Sequence, residues 1–138
     1  MARRDYHHDI VRDALIADGW VITDDPLRLY YGGRNLYVDF GAEYPIAAEK
    51  EGRRIAVEIK GFLSESDVYD LSSSLGQYRV YQHILEDTKS DRVLYLAIPN
   101  YVYTSIFQEP LGQLVLRKDR VQLIVFDEIS RRVEQWIT

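Results

Sequence analysis

The chain is 138 residues long, 46% hydrophobic and 28% charged, which suits one soluble globular domain over 1–138 with a single core. It has no cysteine, which excludes a disulfide framework, a zinc ribbon and a thiol nucleophile and fits a reducing cytoplasm. A net charge of -5 excludes a protein that coats nucleic acid by charge alone, but not an enzyme acting on it, because carboxylates gathered at a metal are neutralised by the cation.

Residues 1–9 hold no apolar stretch of the secretory type. The longest apolar run, Val93 to Pro99, is far too short to span a bilayer, so no membrane association is expected. Residues 5–18 read as a helix: Ile10, Val11, Ala14 and Leu15 recur at helical spacing, and Asp18-Gly19 is a stop. Trp20 to Thr23 reads as a short strand, broken by Asp24-Asp25-Pro26. Leu27 to Tyr31 reads as another, before Gly32-Gly33 turns the chain. Residues 35–41 alternate, with Leu36, Val38 and Phe40 facing one way and Tyr37, Asp39 and Gly41 the other. Residues 46–50 and 53–60 flank Glu51-Gly52 as a hairpin. In its second arm Ile55, Val57 and Ile59 make a buried face, opposite Arg54, Ala56, Glu58 and Lys60.

Ser64-Glu65-Ser66-Asp67 has the form of a capping box and predicts a long helix to about Asp87. Val68, Leu71, Leu75, Tyr78 and Leu85 form its apolar stripe. Arg92 to Ile98 is almost wholly apolar, as a central strand covered on both faces would be. Pro99 is placed to open a short helix through Phe107, and Val121 to Phe126 and Val133 to Ile137 read as two strands. The order is α-β-β-β-α-β with a C-terminal αββ extension, an α/β domain on a mixed sheet. The extension offers a sheet edge, so a homo-oligomer is one expectation. The basic groups Arg3/Arg4, Arg53/Arg54, Arg117/Lys118/Arg120 and Arg131/Arg132 suit a solvated surface.

Glu58 and Lys60 leave the same face of a strand, roughly 6.6 Å apart. Asp39 leaves the corresponding face of an earlier strand. If the two strands are neighbours, two carboxylates and an ammonium converge. Such a pair, completed by waters and phosphate oxygens, suits Mg²⁺ or Mn²⁺, which would lower the pKa of a bound water and offset charge in phosphodiester cleavage. Lys60 would hold the attacking water or stabilise a developing oxyanion. The same spacing equally suits an exposed hairpin face with a surface ion pair. Gln77 and Tyr81 share one helix face. The amide suits a phosphate, a metal-bound water or Lys60, and the tyrosine a base; both also suit a helix edge packed on the sheet. His8 is placed to reach a metal beside Asp39, or to face solvent or cap its helix. Glu43 and Glu49 complete a metal shell or are surface charges. Specificity for a substrate would then come from loops, dimerisation or a partner, with Gly32-Gly33-Arg34 and residues 61–66 as the candidate loops and Arg34 as a substrate-binding residue.

The Asp39…Glu58-x-Lys60 series resembles the PD-(D/E)XK nuclease superfamily, and Gln77-x-x-x-Tyr81 is similar to the Gln-x-x-x-Tyr element of its RecB-like branch. Val38 stands where the proline of the superfamily's name would be. A histidine on the first helix also occurs there, and His8 is the closer match. Longer blocks look like the XisH family, the cyanobacterial fdxN element excision controlling factors: residues 14–20, 39–43, 47–50, 55–60, 76–78 and 92–97, in family order. Tyr30-Tyr31-Gly32-Gly33 and Phe107-Gln108-Glu109-Pro110 extend the match. The resemblance implies a restriction-endonuclease-like core and a role in programmed excision of a DNA element during heterocyst differentiation. It also implies a separate site-specific recombinase and a small XisI companion as partners, alongside DNA. Asp39, Glu58, Lys60 and Gln77 are the catalytic residues it implies. Two functions fit: a Mg²⁺-dependent endonuclease, or a non-catalytic DNA- or recombinase-binding accessory protein that retains the nuclease fold. A toxin-like or defence nuclease held in check by its companion is a third.

Overall fold

The apolar pairs of the first helix, α1 (His8–Ala17), are buried as Ile10, Val11, Ala14 and Leu15; the computed structural model describes residues 6–45 and 52–138. Gly19, at a φ of +98°, takes the chain out of α1, in a conformation open chiefly to glycine. Five strands follow before the next helix: β1 (Val21–Asp24), β2 (Leu27–Tyr31), β3 (Arg34–Val38), β4 (Phe40–Tyr44) and β5 (Arg53–Ile59). Then come α2 (Asp67–Asp87), β6 (Val93–Pro99), α3 (Asn100–Tyr103), a 3₁₀ turn at Ile106–Gln108, α4 (Pro110–Asp119), β7 (Leu123–Asp127) and β8 (Arg132–Ile137).

Six strands form one mixed sheet in the order β1-β4-β5-β6-β7-β8, and β2 and β3 form a separate ribbon. β5, β6 and β7 run parallel, and the outer pairs are antiparallel. A parallel neighbour needs a long crossover, and α2 supplies it between β5 and β6. Leaving the ribbon aside, the chain runs α1-β1-β4-β5-α2-β6 and then α3-α4-β7-β8.

Both faces of the sheet are covered. On one, α1 packs through Ile10, Val11 and Leu15 onto Phe40, Val57, Ile59, Ala97 and Phe126. Arg131 of the β7–β8 turn bonds Asp13 at 2.8 Å, and Trp136 donates to Asp18 at 3.1 Å, fastening α1 to the edge strand β8. On the other face, α2 and the inner side of the ribbon (Leu27, Leu29, Val38) bury Ala56, Leu94, Leu96, Ile98, Leu123 and Val125. Among the described residues no helix is long and apolar enough to cross a membrane.

The single strand expected over 35–41 is two strands in two sheets. Val38 and Phe40 are both fully buried, but Val38 belongs to the α2 side and Phe40 to the α1 side, with Asp39 as a bend between them. β4 continues to Tyr44 and is the partner of β5, with Phe40 opposite Val57. The expected arm at 46–50, Glu49 and the Arg3/Arg4 group lie outside the described residues. Ser66, not Ser64, caps α2, accepting from Tyr69 N at 3.1 Å. Val68 is exposed and Tyr81 takes a place in the buried stripe instead. Pro99 ends β6 and is also the N-cap of α3, but the helix expected through Phe107 stops at Tyr103 and the 3₁₀ turn follows separately.

The α4 helix is an addition to the expected elements. Pro110 starts it, and Gly112 is its one buried residue; a Cβ there would lie 2.1 Å from Ile106 O and 2.6 Å from Phe107 Cα. The helix sits on the 3₁₀ turn by this backbone approach, with Val115 and Leu116 partly buried against the core.

Two polar clamps hold the layers. Arg92, at the start of β6, donates to Ile55 O at 2.9 Å and to Asp24 Oδ1 at 3.0 Å, reaching over Gly41 to the edge strand β1. Tyr78 on α2 donates its hydroxyl to Leu94 O and accepts from Gln122 N, both at 3.2 Å. It thereby ties α2 to β6 and to the entry of β7. Tyr78→Phe leaves the buried Leu94 carbonyl and the Gln122 amide short of a partner. It should cost about 1–3 kcal/mol of stability, seen as a lower urea midpoint at an unchanged slope.

Candidate active site

The bend at Asp39 is held by an exchange of side-chain and backbone bonds with β5. Asp39 Oδ2 accepts from Ile59 N at 2.8 Å, and Asp39 N donates to Glu58 Oε1 at 3.3 Å. Extending the β4–β5 register one step past Phe40–Val57 sets Asp39 opposite Glu58. The backbone ladder stops there, and the two carboxylates take over its last rung. The Lys60 ammonium lies 3.3 Å from Glu58 Oε2, and its backbone N–H is fixed on Ala97 O at 2.9 Å. Asp39, Glu58 and Lys60 therefore stand together where β5 and β6 end and β4 begins.

Glu58 is not part of an exposed hairpin face. It is 6% exposed and leaves the sheet on the side of Ala56, under α2. Burial, and next the charge of Asp39, push its carboxyl up to about 7, against the opposing pull of Lys60. Removal from water outweighs the ion pair because Lys60 stays half-exposed, where solvent weakens its attraction. Near neutral pH the pair of acids is thus poised between one negative charge and two.

One residue of α2 reaches the same ground. Tyr81 is buried, and its hydroxyl donates to Tyr37 O at 3.0 Å. Its pKa is raised by burial and then by the charges of Glu58 and Asp39, which marks its closeness to both. By gripping Tyr37, two residues before the bend, it fixes how the ribbon enters the sheet. Gln77, one turn earlier, is half-buried. Its Oε1 is enclosed and has no hydrogen-bond partner among the described residues, an unmet acceptor of the kind found where a water, ion or substrate belongs.

Three other expected residues are engaged elsewhere. His8 packs on Phe40, ring centres 4.4 Å apart, on the α1 side of the sheet, with Nε2 2.9 Å from Asp25 Oδ1. Glu43 stands further along β4 and accepts from Gly52 N at 3.0 Å. Arg34 is exposed at the ribbon turn opposite Tyr31. Among the described residues no three histidine or acidic side chains gather as a ready metal shell.

His7 precedes His8 at the start of α1 and flanks the same apolar stripe. It is fully buried, edge-on to Phe126, with Nε2 3.4 Å from Glu128 Oε1. A Cβ on Gly61 would lie 2.8 Å from its ring, so the residue after Lys60 has to be small. Glu128 also bonds Tyr101, whose hydroxyl is pushed up to about 12 by burial and then by that carboxylate. Both histidines of the His7-His8 pair are buried. A cavity of about 650 Å³ lined by Tyr103, Leu116, Arg117, Arg120 and Ile137 opens at the opposite end of the sheet from Glu58.

Fold and site together define an α/β protein on a mixed sheet with an acid pair and a lysine at the strand ends. The chain belongs to the XisH family: the family model described as XisH protein matches residues 1–134. It is similar to the crystal structure of a fdxN element excision controlling factor protein from Anabaena variabilis, at 38% identity and a TM-score of 0.86, covering 98% of this chain and 100% of that one. It is equally similar to an XisH family protein from Nostoc punctiforme PCC 73102, at 36% identity and a TM-score of 0.86, covering 97% of this chain and 100% of that one. No curated protein matches the chain.

A carboxyl raised from 4.5 to about 7 binds its proton more tightly in the folded state. Stability from this source is therefore full below pH 4.5, falls as pH rises, and is lost above pH 7. The total is of order 3 kcal/mol. Glu58→Gln removes the titration. The variant should be more stable than the parent at pH 8 by up to about 3 kcal/mol, with the difference gone by pH 4.5, as read from urea unfolding across that range.

Proposed function

We propose that the protein is a Mg²⁺-dependent endonuclease-type factor with a PD-(D/E)XK core, acting on DNA in support of programmed element excision. The observation that carries this is the Asp39–Glu58 exchange beside Lys60, with Glu58 buried and pushed up to about 7. Two adjoining acids of which one resists ionisation form a site short of positive charge, which a divalent cation would supply. The α1-β1-β4-β5-α2-β6 order and the enclosed Gln77 acceptor support the same reading.

Asp39 and Glu58 would hold the cation, Mg²⁺ or Mn²⁺, which when bound supplies Lewis acidity toward a phosphodiester and a more acidic water. Lys60 would turn from Glu58 toward the attacking water or the developing phosphate charge. Gln77 would orient a water or a phosphate oxygen, and Tyr81 holds the bend in place. The excision role follows from similarity to the fdxN element excision controlling factor of Anabaena variabilis. A recombinase and an XisI-like companion are the partners this role calls for.

A second reading has its own support. One oxygen of Asp39 is committed to Ile59 N, and Lys60 already neutralises Glu58. Those bonds suit a site that keeps the nuclease architecture for structure alone, in an accessory protein that binds DNA or a recombinase. Calorimetric titration of Mg²⁺ and Mn²⁺ separates the two. On the nuclease reading the parent protein binds, Asp39→Ala does not, and the variant loses DNA cleavage while its circular dichroism is unchanged. Retained cleavage by Asp39→Ala, or no binding and no cleavage by either protein, rejects it in favour of the accessory reading. Metal affinity should also rise about tenfold between pH 6 and pH 8 and level off above, because the cation displaces the Glu58 proton.

A further inference from the structure

The ribbon of β2 and β3 leads straight into Asp39, and its composition is unlike the rest of the chain. Residues 27–38 carry two arginines, three tyrosines and no acidic side chain, in a protein of net charge -5. The register divides the ribbon cleanly. Leu27, Leu29, Leu36 and Val38 face α2, while Arg28, Tyr30, Asn35 and Tyr37 face outward. Tyr30 and Tyr37 are 56% and 54% exposed.

These outward groups are organised. Arg28 Nε donates to Asn35 Oδ1 at 2.7 Å across the strands, and its guanidinium lies over the Tyr30 ring at 5.2 Å. Arg28 also stands directly opposite Tyr37, so one cation sits between two open aromatic side chains. It forms no ion pair among the described residues, which leaves its terminal nitrogens for an anion. Tyr31 takes no part, because its hydroxyl is held by Asp87 on α2. Aromatic rings stack on unpaired bases whatever their sequence, and a fixed guanidinium meets the backbone phosphate. A duplex keeps its bases stacked on one another and offers these rings nothing.

We infer that the outward face of the ribbon, through Tyr30, Tyr37 and Arg28, is a stacking platform for single-stranded nucleic acid, which it delivers to Asp39 and Glu58. Tyr37 is two residues from Asp39, within about 7 Å along the chain, so the platform ends at the bend that carries the acid pair. The inference rests on the cleavage reading for the strand's destination, but the binding itself needs no metal.

The test is fluorescence anisotropy of labelled oligothymidine, oligouridine and a duplex of equal length, with the full chain in EDTA so that neither metal nor cutting contributes. The parent protein should bind the single strands more tightly than the duplex. Tyr30→Ala and Tyr37→Ala should each weaken single-strand binding about fivefold or more, and Tyr30→Phe and Tyr37→Phe should restore it, since the ring rather than the hydroxyl is used. Arg28→Ala should weaken binding and flatten its dependence on salt by about one phosphate contact. Equal binding of oligouridine supports the platform too, because a π face does not read the sugar. Preference for the duplex, no single-strand binding by the parent, or alanine variants that bind like the parent overturn it. Mg²⁺ titration of the same variants keeps the two readings apart: the tyrosine changes should leave metal binding intact.

Discussion

The rung between Asp39 and Glu58 is the contact on which the rest of the site depends. At that step the β4–β5 ladder has to end, because the chain must leave the plane of the sheet to become the ribbon. A ladder that ends in the interior leaves amides without acceptors, which costs free energy unless side chains replace them. Asp39 and Glu58 do so, each serving the other's strand. The bond that finishes the sheet is thus also the bond that brings two carboxylates together.

The second element is the cover. α2 is the crossover that parallel strands require, and the same helix excludes water from Glu58 and carries Tyr81 to the bend. Position and electrostatics come from one topological demand. Two like charges this close, under a helix, are unstable as a pair. Lys60 relieves part of that tension, but from a half-exposed position that limits its effect. The site is therefore held together by backbone hydrogen bonding against its own electrostatics, as sites suited to a cation or a proton are.

Much of this could be read from the residues in order. The α1 stripe, the apolar run that became β6, and the placing of Glu58 and Lys60 on one strand follow from side-chain periodicity, which responds to burial. Periodicity does not say against what a residue is buried. Val38 and Phe40 look like successive members of one face, yet they enter opposite cores, so the bend between them left no trace in the pattern. The mostly polar face of residues 54–60 gives no sign that α2 covers it, so Glu58 looked exposed where it is hidden. α4 escaped because its closest contact is made by a glycine, which writes no hydrophobic signature, while Val115 and Leu116 are only partly buried. Similarity to the XisH family was legible in whole blocks of sequence, whereas the geometry of the acid pair depended on strand order, which a single sequence does not contain.

The clamp over Gly41 limits how relatives of this chain can diverge. A Cβ at that position would lie 2.8 Å from Asp24 Oδ1 and 3.0 Å from Arg92 Nη1. Residues 24, 41 and 92 come from β1, β4 and the start of β6, and they fill one another's space. A descendant that gains a side chain at 41 has to give up the arginine's reach to β1, and one that loses the arginine is free to fill 41. The three positions should therefore change together through evolution, as one inherited unit scattered over almost 70 residues of chain.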